Sequence, residues 1–250
     1  MREHKEILQY FPIFKQLYLT TFSEFYDTTY IPRVSKNALV IVEPRQHENL
    51  EFVIKNAIYY CRGWSMYIFH SKENKQFIMN FIGNKDINLI EISDSNITLD
   101  HYNKLLCSID RFWDKINADI VLIFQTDSYI RRRGIEEYLE YDYIGAPWIF
   151  KPFGLVTGNG GFSLRRISHM KMILRNYKIP NINEDLYFSH YVKVLKMKTP
   201  SYDKLKAFAV ESIYYDDPIG VHDPLLSDFD KGYSQKDEQN KKGLFYFVID

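Results

Sequence analysis

Four short segments of this 250-residue chain carry side chains spaced for chemistry. The first is Gln125-Thr126-Asp127-Ser128, which follows the apolar run Ile120–Phe124. A carboxylate at the end of a buried strand can hold a divalent cation against a diphosphate. Mg²⁺ and Mn²⁺ prefer oxygen ligands, and one or two protein carboxylates suffice when phosphate oxygens complete the shell. Asp127 also reads as the N-cap of a following helix. The second segment, TGNGGFSLRR, sets Gly158, Gly160 and Gly161 around Asn159. Bare backbone there allows a tight turn into a strand, or lets a sugar ring lie against the chain with Asn159 bonded to it. Its spacing fits neither a dinucleotide fingerprint nor a P-loop. The third is Asn183-Glu184-Asp185. It reads as a capped helix start with acids in its first turn, or as the source of a general base for an attacking hydroxyl. The fourth holds His222 after Gly220-Val221. It is a surface histidine, or a metal ligand if its loop folds back onto Asp127.

The elements that must position these groups alternate. Strands are predicted over 37–45, 64–71, 87–93 and 119–128, with helices over 47–61, 73–83 and 99–116 between them. The strands are near-continuous apolar runs, which predicts an α/β, Rossmann-like, mostly parallel sheet covered by helices on both faces. Such sheets bind ligands beyond the carboxyl ends of their strands. Glu43-Pro44-Arg45, Ser71 and Gln125-Thr126-Asp127 are therefore expected on one rim, as a nucleotide-binding edge. Past Tyr141 the pattern loosens. It predicts a strand and turn over 141–150, a short strand after the glycines, helices over 167–177 and 184–195, and a strand over 207–215. An exposed polar loop is expected over 231–243 and a terminal strand over 244–249.

Residues 1–35 read as an N-terminal helical extension and 36–250 as the main domain. Ile7, Leu8, Phe11, Phe14, Leu17 and Tyr18 recur at helical intervals, and Pro12 divides the stretch into two helices. The aromatic stripe suits packing on the main domain, or a partner that includes a second copy of the chain.

Lys plus Arg equals Asp plus Glu at 32 each, which argues against a nucleic-acid binder held by bulk charge. The run Arg131-Arg132-Arg133 reads as a solvated helix start, or as a phosphate-facing patch. Cys61 and Cys107 sit in apolar segments without metal or redox spacing, so two buried thiols in a reducing compartment are expected. No run approaches the roughly 20 apolar residues of a membrane span, and no signal-peptide pattern opens the chain. The expected compartment is the cytoplasm.

Taken in order, QTDS, YDYIGAPW, GNGGFSLRR, NEDLYFSHY, AFAVES and GVHDP resemble the DUF5672 family, which is regarded as glycosyltransferase-like. The resemblance runs over residues 38–224 and is most specific from Gln125 to Arg166. The plan is similar to that of GT-A-fold nucleotide-sugar glycosyltransferases, above all the β-1,4-galactosyltransferase group. The resemblance implies a GT-A-like fold, Mn²⁺ or Mg²⁺, a nucleoside-diphosphate-sugar donor (a UDP-sugar first) and a glycan or other hydroxyl acceptor. It sets Pro44 and Arg45 in the nucleotide loop, with Ser71, Gln125 and Thr126 beside them. It makes Asp127 and His222 metal ligands, and matches Gly160, Gly161 and Ser163 to a Gly-Gly-x-Ser segment that lines the donor sugar with Asn159. Glu184 and Asp185 match a catalytic acidic pair, one of them the base of an inverting displacement. Trp148 is a candidate acceptor platform or a core residue.

Two departures stand out. Gln125 replaces the first Asp of the metal motif, and Asn183 replaces the glycine before the acidic pair. Two alternatives remain at this stage. One is a non-catalytic sugar-nucleotide-binding module, favoured by Gln125. The other is a nucleotidyltransferase, which calls for a glycine-rich loop after the first strand; VEPRQHENL contains no glycine.

Overall fold

The computed structural model describes residues 11–148, 154–155 and 158–222. The first predicted N-terminal helix, the loop over 231–243 and the terminal strand lie outside these residues.

Strands β1 (Asn37–Val42), β2 (Ser65–Ser71), β3 (Asn88–Ser93) and β4 (Ile120–Phe124) form the parallel part of a six-stranded sheet. Together with β6 (Tyr143–Gly145) and β7 (Phe162–Arg166) the sheet order is β3-β2-β1-β4-β7-β6. Only β7 runs against the others, pairing antiparallel with β4 and β6. Alternate residues of one strand enter different cores. Leu39 and Ile41 face one, while Ala38, Val40 and Val42 face the other. A strand covered on both sides has no polar face, which explains the unbroken apolar runs. A second, three-stranded sheet has the order β5-β9-β8, from β5 (Ser128–Ile130), β8 (Ala209–Val210) and β9 (Gly220–His222).

Seven α-helices flank the sheets among the described residues. Helices α1 (Phe11–Thr28), α2 (Leu50–Tyr60), α3 (Lys75–Ile82) and α7 (Tyr202–Phe208) share one core with the small sheet. Helices α4 (Leu99–Leu106), α5 (Ile167–Asn176) and α6 (Glu184–Val194) cover the other face. Both cysteines are buried thiols, and burial pushes Cys107 up to about 12.

Several sequence expectations are corrected. The helix over 99–116 stops at Leu106, where the Trp113 indole donates to the Leu106 carbonyl at 2.7 Å. That bond satisfies a helix-end carbonyl, and the chain continues only as a 3₁₀ turn, Trp113–Lys115. The strand over 207–215 shrinks to two residues, because Ala207 and Phe208 complete α7. Leu17 is exposed, and the buried stripe of α1 is instead Phe14, Phe22 and Tyr26. Phe14 stacks on Tyr129 of β5 at 4.4 Å, so these aromatics are turned inward. The arginine run opens no α-helix; a short 3₁₀ helix, Ile135–Tyr138, begins after Gly134. Arg131 and Arg132 both pair with Asp217 of the loop before β9, at 3.0 and 3.2 Å.

Asn56 of α2 is buried beside β5. Its amide donates to the Ile130 carbonyl at 2.8 Å and accepts from the Ile130 N–H at 2.7 Å.

Candidate functional site

The carboxyl ends of β1 and β4 open on a cleft of about 300 Å³. Pro44, Arg45, Thr98, Tyr102, Gln125 and Asp127 are among its walls. Glu43 sets its shape. This buried carboxylate accepts from the Arg45 backbone N–H at 2.8 Å and holds the Arg45 guanidinium through Nε at 2.8 Å and through Nη2 at 2.7 Å. Those bonds raise the Arg45 pKa further, with a smaller contribution from Asp127. The arginine stays cationic at the mouth of the cleft. Ser71 does not reach the space. It is fully buried, and its hydroxyl donates to the Pro44 carbonyl at 2.7 Å. Its part is to brace the turn after β1, together with Asn74, whose amide donates to the Glu43 and Arg45 carbonyls.

Asp127 caps no helix. The chain after it becomes β5, and Ser128 pairs across to His222 of β9. This register brings Asp127 and His222 together across 95 positions of sequence. His222 Nε2 lies 3.2 Å from Gln125 Oε1 and 3.5 Å from Asp127 Oδ1. The close approach needs glycine. A Cβ on Gly161 would sit 2.1 Å from His222 Nε2, and one on Gly220 would strike the Phe162 ring at the same distance. Without side chains at these two positions, β9 can lie directly on β7.

The donors suit the implied cation. Ligands about 2.1 Å from one ion and at right angles to each other are about 3 Å apart, close to the two spacings around Nε2. One imidazole, one carboxylate and one amide oxygen leave positions for phosphate oxygens and water. Among the described residues no group of three or more His, Cys, Asp or Glu side chains has metal-binding spacing. His222 and Asp127 would hold a cation as a pair, with the Gln125 amide oxygen in the place of an acid. The Gln125 amide also donates to the Tyr102 hydroxyl at 3.3 Å.

The acidic pair divides. Glu184 is buried in a bidentate ion pair with the fully buried Arg165 of β7. A carboxylate committed to a buried guanidinium is structural, so Glu184 is withdrawn as a base. Asp185 is half-buried, with Oδ2 3.3 Å from the Gly160 N–H. Burial, and then the Glu184 charge, push its pKa up to about 7 against the opposing pull of Arg165. Its charge also acts on Tyr102 of the cleft wall. Asn183 stands at the cap position but makes no cap bond; Asn103 of α4 accepts the Glu184 N–H instead, at 3.1 Å.

Asn159 folds its side-chain oxygen onto the Gly161 N–H at 2.9 Å and donates to Glu211 Oε1 at 2.7 Å. It organises the glycine segment. Trp148 is half-buried, and its ring would meet a Cβ placed on Gly158. Thr126 is buried, with its hydroxyl 3.5 Å from Glu43. Glu43 was expected from sequence on this rim but without a role of its own, and Tyr102 and Glu211 were given no role from sequence.

No curated protein matches the chain in sequence. Among solved structures, the apo form of the glycosyltransferase GlyE of Streptococcus pneumoniae TIGR4 is similar with a TM-score of 0.47 at 12% identity. That alignment covers 84% of this chain and 64% of GlyE, so the chain spans less than two thirds of its neighbour. A second GlyE structure aligns with a TM-score of 0.43 at 12% identity, over 86% of this chain and 57% of that one. The 4-diphosphocytidyl-2C-methyl-D-erythritol synthase of Anaerococcus prevotii DSM 20548 aligns with a TM-score of 0.41 at 10% identity, over 67% and 85%. A family profile described as "Protein of unknown function (DUF5672)" matches residues 86–222. That stretch runs from β3 through β9 and takes in more than half of the chain, and the protein belongs to the DUF5672 family.

Proposed function

We propose that the protein is a glycosyltransferase that moves a sugar from a nucleoside diphosphate to a hydroxyl acceptor with inversion. The observation that carries this reading is the approach of His222 to Asp127 and Gln125, two wall residues of a cleft also lined by Pro44 and Arg45. A polar strand-end cleft with a cationic arginine and a two-ligand cation site suits a diphosphate. Mn²⁺ or Mg²⁺ bound there would neutralise the charge that grows on the leaving diphosphate. Arg45, fixed by Glu43, would add a second positive group near the same oxygens.

Asp185 takes the acceptor proton. The acceptor oxygen bonds to the anomeric carbon as the bond from that carbon to the diphosphate oxygen breaks. A carboxyl pushed up to about 7 is poised for this transfer near neutral pH. The Gly160-Gly161 backbone and Asn159 line the donor sugar, and Trp148 offers the acceptor a flat apolar face.

Calorimetry with UDP, GDP and dTDP, with and without Mn²⁺, tests the donor side. Binding of one nucleotide strengthened by Mn²⁺, with the strengthening lost in His222→Ala, is the expected result. No binding of any of the three in either condition overturns the reading. Asp185→Asn is expected to keep donor binding and lose transfer by about 10²–10⁴-fold. Gln125 favours a second reading, a sugar-nucleotide-binding module without transfer, since the amide adds no charge to the cation site. Tight donor binding with no transfer to any acceptor would select it.

A further inference from the structure

One wall residue of the cleft holds a hydrogen that no role assigned so far uses. Tyr102 of α4 lines the cleft, and its half-buried ring packs on the core beneath α4, α5 and α6. Its hydroxyl oxygen accepts from the Gln125 amide at 3.3 Å. A phenol oxygen that accepts keeps its own hydrogen to give. Among the described residues that hydrogen has no acceptor. The group is also held in place. Both ends of the Gln125 amide are engaged, with Oε1 3.2 Å from His222 Nε2, so a single amide separates the Tyr102 hydroxyl from the candidate cation site. The Gln125 backbone N–H donates to the Ser128 hydroxyl at 2.8 Å. Helix α4 is fixed by Thr98, which accepts the His101 N–H at 3.2 Å, and by Asn103, which accepts the Glu184 N–H of α6.

Resting on the glycosyltransferase reading above, we infer that Tyr102 is a further substrate-binding residue, whose hydroxyl donates to a phosphate oxygen of the donor's diphosphate. A diphosphate drawn to this cleft by Arg45 and by a cation on Asp127 and His222 brings anionic oxygens, and a hydrogen bond to a charged acceptor is about twice as strong as one to a neutral acceptor. Arg45 and the cation meet the ligand with charge. The phenol meets it with direction, because its oxygen is already anchored by Gln125 and its ring by the core. A donor fixed in advance loses little freedom when the ligand arrives. Such a bond also strengthens as charge grows on the leaving diphosphate, so it favours the transition state over the bound donor.

Tyr102→Phe removes the hydroxyl and keeps the ring. Calorimetry on the full chain compares pyrophosphate, UDP, GDP and dTDP, each as its Mg²⁺ complex, together with Mn²⁺ alone. The variant is expected to bind pyrophosphate and the preferred nucleotide about ten- to a hundredfold more weakly, as the loss of a hydrogen bond to a charged group requires, and to bind Mn²⁺ alone as wild type does. Equal affinity of both proteins for every diphosphate overturns the inference and leaves the glycosyltransferase reading standing. A loss confined to nucleotides, with pyrophosphate bound equally by both proteins or by neither, assigns the contact to the nucleoside and overturns the inference as well. So does a loss for Mn²⁺ alone as large as that for the diphosphates, since Tyr102 would then act only through Gln125. If pyrophosphate binds wild type and weakens in the variant while no nucleotide binds, the phosphate contact stands and the glycosyltransferase reading falls. A wild type that binds no diphosphate at all removes both.

Discussion

β1 and β9 reach the cleft in opposite ways. β1 is six residues long, buried from Ala38 to Val42, and paired with a parallel neighbour on each side. The turn after it, from Glu43 to Arg45, is braced by Ser71 and Asn74. β9 has three residues, and it lies on β7 only where Gly161 and Gly220 leave room. The wall assigned to the nucleotide therefore rests on a large apolar core, while the wall assigned to the cation rests on a few polar contacts and two missing side chains. Damage to the first should appear as lost stability, and damage to the second as lost binding.

The sharpest exception should be Glu184, a stabilising group inside the chemical half. Glu184→Gln leaves Arg165 buried and unpaired, and the expected loss is about 3–5 kcal/mol in denaturant unfolding. A loss below about 1 kcal/mol would mean that the buried pair does not anchor α6. Gly161→Ala should separate the two walls. Its Cβ would displace the His222 ring, so Mn²⁺ affinity should fall at least tenfold with a stability cost of about 1–3 kcal/mol. Unchanged Mn²⁺ affinity would remove His222 from the cation site.

The pH profile tests Asp185 alone. Transfer should rise about tenfold per pH unit up to about 7 and level off above it, because the base must be ionised. Stability should move the other way. The folded state holds the Asp185 proton up to about 7, whereas the unfolded chain releases it near the ordinary value of about 3.9. Folding thus binds a proton between these values, and stability declines as pH rises through that window. Asp185→Asn should flatten both profiles. The smallest effect is expected from Ile41→Val in β1, about 0.5–1.5 kcal/mol in stability with Mn²⁺ affinity unchanged.

The legibility of the chain follows the same division. β1 to β4 could be read because each is a local apolar run, and their convergence on one rim follows from parallel topology. β5 and β9 could not, because three-residue strands exist only through pairing with distant segments: β5 with β9, and β9 also with β8. That is why Asp127 resembled a helix cap until His222 was placed beside Ser128. Glu184 and Asp185 are adjacent acids with the same local signals, and only the buried Arg165 separates them. Glu211 stood in sequence only within AFAVES, with no role of its own. Its place beside Asn159 is a property of tertiary structure.

The contact between Asn56 and Ile130 has a consequence for association. β5 is an edge strand, and an open edge invites a strand from another chain. Both outward groups of Ile130 are already bonded to the Asn56 amide, which occupies the place a neighbouring strand would take. One side chain thus closes a template for intermolecular β-pairing, and Asn56→Ala should expose it to aggregation.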